Sequence, residues 1–529
     1  MNEQLTHMSK QVTAGKLTRR EFMGKAAALG VSAAMASTMF ADAARAAGPV
    51  KGGTMKIGML GGESTNTLDP AVAATQVPGM VLRLYGEQIV DVTAEGEIDY
   101  RLAESVEGSA DAKTWNFKVR PGVEFQNGKT VTAQDFLRTV ERHANEDSKS
   151  GALGVLKGIK SMKAEGDVFT VEMENPTADL PYLMADWHLV VQPDGGFDNP
   201  NAGIGTGPYI IEVDEPGVRH TFKKNPNYWD DSLGHVDEVE VLVINDATAR
   251  MAALQSGQVH MVNSVDPKVA SLLERAPNLE IKSVSGRAHY VFPMHTNTAP
   301  FDNNDLRLAL KYAVNREEMV EKILRGFGSV GNDIPVNESY PLFDNTIEQR
   351  KYDPEKAAEH YKKSGHDGSP IVLYVSDAAF AGAVDAAQLF QQSAAAAGIN
   401  LQIERTPSDG YWSEVWNNKP FCASYWSGRP VQDQMYTTAY LSSADWNDTR
   451  FNDPEFDKLL FEARGELNVE KRVELYSKMA RIIRDKGGLI APMFNDFVDG
   501  VSTQVQGYKN DPNGFLMYSW APIKCWLDA

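Results

Sequence analysis

HYVFPMHTNTAPFDNNDLRLALKYAVNREEMVEKILRGF, residues 289–327, is the stretch on which the reading of this chain turns. Its first part, His289 to Thr296, is rich in aromatic and β-branched residues and is bounded by Pro300, the pattern of a short strand. Its second part changes period. Leu306, Leu310, Ala313 and Val314 recur at helical spacing, and Asn315 with Glu318 forms a capping-box signal that opens a second helix. A complete α/β pattern lies on either side, so this stretch reads as the crossing from one lobe to another. Two lobes leave a cleft between them, and a cleft is a place for a ligand.

Before the crossing, Val239, Val241 and Val243 alternate as a strand, Asp246 caps a helix through Leu254, Gly257 stops it, and Val259 to Val262 restarts a strand. The same order follows the crossing: strand Ile371–Val375, a helix from about Ala381 to Ala397, Gly398 as stop, then Leu401 and Ile403 in a strand. Parallel strands need such crossovers, and open α/β sheets place ligands at the carboxyl ends of their strands. Each half is therefore expected to have its own sheet. Further out, Met55, Ile57 and Met59 alternate in a first strand that runs into the polar loop GGESTNTLDP, residues 61–70, expected to line the cleft. No Lys-Ser/Thr follows the double glycine and no G-x-G-x-x-G occurs, so this is not a phosphate loop. Strand Trp115–Val119, the Asn127-Gly128 turn and a helix start at Thr132 come next, then a hairpin of Tyr209–Val213 and Arg219–Lys223. Near the end, Asp453-Pro454 opens a helix, Val469 to Lys486 forms another, and the apolar run Leu489–Val501 returns to the first lobe.

The 529 residues suffice for two or three domains, and a mean hydropathy of −0.35 is ordinary for a globular chain. A net charge of −19 without a Lys/Arg cluster argues against nucleic acid as a partner. Cys422 and Cys525 show no metal spacing; a disulfide or two unpaired buried thiols accounts for them. Residues 1–46 are different material. Thr18-Arg19-Arg20-Glu21-Phe22-Met23-Gly24-Lys25 precedes an uncharged Ala-rich run from Ala26 to Phe40, and Ala44-Arg45-Ala46 fits an A-x-A cleavage site. This resembles a twin-arginine signal peptide, read by the twin-arginine export machinery. Its apolar run is too short for stable membrane insertion, and no later stretch is long and apolar enough to span. Loss of 1–46 removes six basic and three acidic side chains, taking the net charge from −19 to −22. An acidic, exported protein is expected.

Taken in order, WNFKVRPGVEFQNGKTVTAQDF from Trp115, GTGPY from Gly205, FKKNPNYW from Phe222, ALQSGQV from Ala253 and NTAPFDNNDLRLALKYAVNR from Asn297 resemble the dipeptide/oligopeptide-binding proteins of bacterial ABC importers, solute-binding protein family 5. The matches cover essentially everything after residue 52. The resemblance implies an α/β, two-lobed periplasmic-binding-protein-like fold with an extra subdomain, about residues 86–220, inserted in the first lobe. The expected layout is signal peptide 1–46, first lobe 47–288, second lobe 289–490 and a return to the first lobe over 491–529.

In peptide-binding members of that family an aspartate shortly after a Trp-x-Gly step meets the ligand's ammonium group. Here the step reads Ser424-Tyr425-Trp426-Ser427-Gly428-Arg429-Pro430-Val431-Gln432-Asp433, with Arg429 directly after Gly428. A guanidinium there repels an ammonium and offers a fixed fork to a carboxylate, phosphate or sulfonate. The alternative is a structural arginine paired to a neighbouring carboxylate. Asp433 is a second candidate, for a cation, and Trp426 is a candidate cleft wall. Tyr425, Ser427, Gly428, Trp446 and Ser376 complete the second-lobe set, although packing or capping accounts more simply for Trp446, Ser376 and the Tyr411-Trp412 pair. Asn66 and Thr67, in the loop Ser64–Leu68, are the first-lobe contribution. His289 and His295 share strand parity but lack a third ligand nearby, so two packed histidines is the preferred reading.

The function expected is a periplasmic, non-enzymatic solute-binding component, a monomer that closes by hinge motion on a small peptide-like or anionic, carboxylate-bearing or zwitterionic ligand and delivers it to an inner-membrane ABC permease. No cofactor is implied. Two alternatives compete: an exported hydrolase, although no H-E-x-x-H or G-x-S-x-G motif occurs, and a binder of a metal chelate on the same scaffold.

Overall fold

The structure, a computed structural model, describes residues 2–528 apart from 14–16, 33–34, 37–38, 41–47, 74, 146, 148, 408–410 and 445. The expected cleavage site Ala44-Arg45-Ala46 lies outside the described residues. Around the double arginine, Thr18 caps the helix Arg19–Ala28 in a capping box with Glu21.

The first strand, Thr54–Met59, pairs in parallel with Glu238–Val243 on one side and with Met261–Val262 on the other. The helix between those two, Ala247–Gln255, starts where Asp246 accepts the Ala249 amide at 2.7 Å. The sheet continues through the hairpin Arg219–Lys224 and Tyr209–Glu215 at one edge. In the other direction it continues through Met493–Ser502, Leu279–Val291 and Ser424–Trp426. Both halves of the chain thus share one sheet. In the second half, the strands Ile371–Val375 and Leu401–Arg405, linked by helix Ala383–Ala395, form only a two-stranded parallel pair beside it. The expectation of a separate main sheet in each half is corrected by the length of Leu279–Val291. Its 13 residues reach roughly 43 Å at about 3.3 Å per residue, enough to serve both halves. Its register against Met493–Ser502 is interrupted between Ser285 and His289.

A separate antiparallel sheet runs in the order Ala103–Gly108, Thr114–Val119, Val168–Met173, Ile159–Glu165. The helix Ala133–Ala144, opened by a Thr132–Asp135 capping box, contributes Phe136 and Val140 to a core with Phe117 and Phe169. A second core joins Met55, Tyr85 and Val241 to the C-terminal Trp520, and a third gathers Leu310, Leu373, Phe390 and Phe421. Cys525 lies in the second and Cys422 in the third, both as free buried thiols. Burial pushes the Cys525 thiol up to about 12.

At the crossing, Asn303 caps Asn304–Tyr312 and Asn315 caps Arg316–Lys322, with its side chain accepting the Glu318 amide. The wholly buried Asp333 accepts two bonds from Arg316 Nη2 at 2.6 and 2.7 Å and one from Arg350 Nη1 at 3.0 Å. It also accepts the amide of Ala491, at the entry to the return strand.

Candidate functional site

A cavity of about 770 Å³ opens among three parts of the chain. Gly151, Lys157, Tyr182 and Trp187 line it from one part, Ser427–Pro430, Asp433, Trp446 and Arg464 from a second, and Arg287, Phe497 and Tyr518 complete the lining. The size suits a small solute.

Arg429 follows Gly428, whose φ of 78° is the left-handed conformation that glycine adopts without strain. No ion pair reaches Arg429 among the described residues: its amide donates to Tyr340 Oη at 3.0 Å and its Nη1 to the Gly428 carbonyl at 2.6 Å. Burial pushes its pKa below the usual arginine value, with the Tyr340 phenol opposing. Asp433 is already engaged. Arg464 Nε donates to both its oxygens, at 3.0 and 3.3 Å, while Arg464 Nη2 holds Thr437. Burial raises the Asp433 carboxyl and Arg464 opposes the shift. An aspartate held this way is a poor receptor for a ligand's ammonium group.

Trp446 is 53% exposed and presents its ring to the cavity. Trp426 does not line the cavity. It is buried behind Trp446, ring centroids 6.2 Å apart, while Trp416 meets Trp446 edge-on at 6.1 Å. Beneath this aromatic cluster lies the buried Asp448, which accepts from Trp416 Nε1 at 3.1 Å. Burial pushes its carboxyl from 3.8 up to about 7, opposed by the indole donor. A carboxyl raised in the folded state favours folding while it keeps its proton, an advantage lost as pH rises from about 4 to about 7. Asp448→Asn is therefore expected to match the natural protein near pH 4 and to melt higher above pH 7, as read by Tm against pH.

Four other predicted residues stand apart from the cavity. Tyr425 alternates with Trp426 along its strand and faces the other side, 47% exposed. Ser376 is buried after the strand Ile371–Val375, with its hydroxyl accepting the Ala378 amide. Asn66 accepts the Glu63 amide at 2.6 Å, and Thr67 accepts the Asp69 amide while bonding Asn201. These side chains build turns, which explains their polarity without a ligand. His289 packs on Phe494 at 4.9 Å with Nδ1 on the Arg287 carbonyl, and burial lowers both it and His295 to about 4. No group of three His, Cys, Asp or Glu placed to hold a metal occurs among the described residues.

Sequence reasoning missed Arg287, Arg464, Phe497 and Tyr518. Arg287 carried a signal, a charged residue after Gly286 inside a run that continues as a strand. Tyr518 carried none. It sits in four consecutive residues with left-handed φ, Leu516 to Ser519, a fold held by the buried Asp499, which accepts the Leu516 amide at 2.6 Å. Segments far apart in the chain also touch near these residues: Arg472 Nη2 donates to Asp179 at 2.5 Å, both buried, and the Ala178 amide donates to the Arg464 carbonyl at 2.7 Å.

Residues 97–448 match the family model of bacterial extracellular solute-binding proteins, family 5. The chain belongs to that family. The oligopeptide-binding protein OppA of Bacillus subtilis (strain 168) is 26% identical over 478 residues, covering 81% of this chain and 85% of OppA. The glutathione-binding protein GsiB of Salmonella typhi is 24% identical over 483 residues, covering 88% and 93%. Among solved structures, the binding protein AgaA from A. tumefaciens R10, in complex with agropinic acid, superposes with a TM-score of 0.72 at 24% identity, covering 90% of this chain and 99% of AgaA. This family 5 protein thus has the two-lobed α/β fold and the solute-binding role that serves ABC importers. No described helix is long and apolar enough to cross a membrane.

Proposed function

We propose that this protein is exported through its twin-arginine leader, works in the periplasm as a monomer, and captures a small anionic or zwitterionic solute between its lobes for an inner-membrane ABC permease. The observation that carries the anionic reading is Arg429, a guanidinium on the cavity wall with no carboxylate at ion-pair distance among the described residues. Its guanidinium lies over the Trp426 ring but has no counter-ion, and a ligand anion supplies one. The cavity wall supports this. Lys157, Arg287, Arg429 and Arg464 face Asp186 and Asp433, four cations against two carboxylates, on a chain of net charge −19. Such local reversal of sign draws in anions.

In this reading the lobes are 47–288 and 289–490, with 491–529 returning to the first, and the hinge is the pair of strands Leu279–Val291 and Met493–Ser502. Their register break between Ser285 and His289 supports that assignment. A Cβ on Gly286 would sit 2.6 Å from the Phe497 ring, so the two strands cross closely there. Ligand contacts on both lobes would hold the closed arrangement.

The experiment is mass spectrometry of the solute released from protein made in its native host. Small-angle scattering before and after that solute is removed accompanies it. A small acidic or zwitterionic compound, with expansion on its removal, is the expected result. A purely cationic or neutral cargo, or a particle whose size does not change, would overturn the reading.

A further inference from the structure

The proposed capture of an anion leaves a second arginine unexplained, and the inference here rests on that reading. Arg287 reaches the cavity from the register break in Leu279–Val291, and Arg429 from the loop after Ser424–Trp426. The two strands are antiparallel neighbours with His289 opposite Trp426, so the arginines arrive side by side. The approach is close enough that a Cβ on Gly428 would lie 2.5 Å from Arg287 Cβ. Tyr340 sits between them, accepting the Arg429 amide and placing its ring under the Arg287 guanidinium at 5.3 Å.

Other buried arginines in this protein have a carboxylate or a set of backbone carbonyls to answer the charge. Arg101, Arg316 and Arg472 pair with Glu87, Asp333 and Asp179, and Arg250 donates to four backbone carbonyls. Arg287 makes one hydrogen bond, Nε to the Ser339 carbonyl at 2.9 Å, and Arg429 makes one from its guanidinium. Each guanidinium has five donors, so most remain for a ligand. The two cavity carboxylates are both engaged, Asp433 by Arg464 and Asp186 by His188. Asp511 acts on Arg287 only at longer range, without an ion pair. The lining cations left without a carboxylate among the described residues are the exposed Lys157 and the two arginines, and of these only the arginines stand side by side. A ligand with a single negative charge would answer one and leave the other desolvated.

We propose that Arg287 and Arg429 form a clamp for two negative charges, so that the cargo is a dianion: a solute with two acidic groups or a doubly ionised phosphate.

The test uses ligand-stripped full-length protein at pH 8 and fixed ionic strength, with succinate, inorganic phosphate and the monoanion butyrate as probes and thermal shift and calorimetry as readouts. Succinate or phosphate is expected to bind saturably and about tenfold more tightly than butyrate, the better of the two identifying the acid type. Arg287→Gln should erase that preference, and Arg287→Lys should restore part of it. The unliganded Arg287→Gln protein loses the Ser339 bond and the Tyr340 contact but no ion pair, so only a small drop in its melting temperature is expected. Equal binding of butyrate and the dianions, or a dianion preference that survives Arg287→Gln, overturns the clamp. Should Arg429→Gln still abolish all anion binding in that case, the clamp alone fails. Should neither variant change any anion response, the anion reading fails with it.

Discussion

Arg429→Gln is expected to weaken capture of an anionic solute by about 2–5 kcal/mol, roughly 30-fold to several-thousand-fold in Kd, while leaving the fold unharmed. The size follows from burial on both sides of the contact. Truncating one partner of a desolvated charge pair leaves the other without compensation, and that penalty makes up most of the loss. The fold is spared because Arg429 has no ion pair to give up: its guanidinium donates only to the neighbouring Gly428 carbonyl. Its other tie, the amide to Tyr340, belongs to the backbone and survives substitution. Arg429→Lys keeps the charge but loses the planar fork, so an intermediate affinity is expected. Calorimetry with the solute recovered from the native host decides it. An unchanged Kd for Arg429→Gln would remove this residue from the anchor role.

The largest effect on stability is expected from Asp333→Asn. Asp333 has no exposure and ties together Arg316, Arg350 and the amide of Ala491, three separate parts of the chain. Removing its charge leaves the buried Arg316 without a counter-ion and Arg350 with only the half-exposed Asp485, for a loss of about 3–5 kcal/mol, read as a lower urea midpoint. The pH dependence gives an independent check. Burial by itself would raise the Asp333 carboxyl, but Arg316 and then Arg350 outweigh it and hold the pKa below the usual 3.8. A depressed carboxylate contributes stability above its unfolded pKa, and the contribution fades as pH falls through the folded value. The urea midpoints of Asp333→Asn and the natural protein should therefore differ most near neutrality and draw together in strong acid. Parallel curves down to the acid limit would show that the charge of Asp333 is not what holds these segments.

Much of the fold could be read residue by residue. Asp246, Thr132 and Asn315 each marked a helix start because a side-chain oxygen that accepts a free helix amide is a local event, complete within three or four residues. The long strand was read short for the opposite reason. From Glu280 to Ser285 its residues are all partly exposed or exposed, so no apolar alternation announces it. What makes it a strand is pairing with Met493–Ser502, some two hundred residues away in sequence.

The candidate site divides along the same line. The segment Ser427–Gly428–Arg429 and Trp446 do line the cavity, and Arg429 stood out because a cation follows Gly428 where the resemblance led one to expect an acid. Asn66, Thr67 and Ser376 have the polarity of binding residues, yet their side-chain oxygens are used by amides two or three positions away along the chain. Sequence alone settled the family scaffold, the helix starts and the unusual charge at position 429, since each depends on neighbours within a few residues. Only the tertiary structure decided that Arg287 lies beside Arg429, that Asp433 is taken by Arg464, and that Tyr518 lines the cavity. Those relations join segments far apart in the chain, and no local pattern encodes which buried charge will find a partner and which will be left facing the cleft.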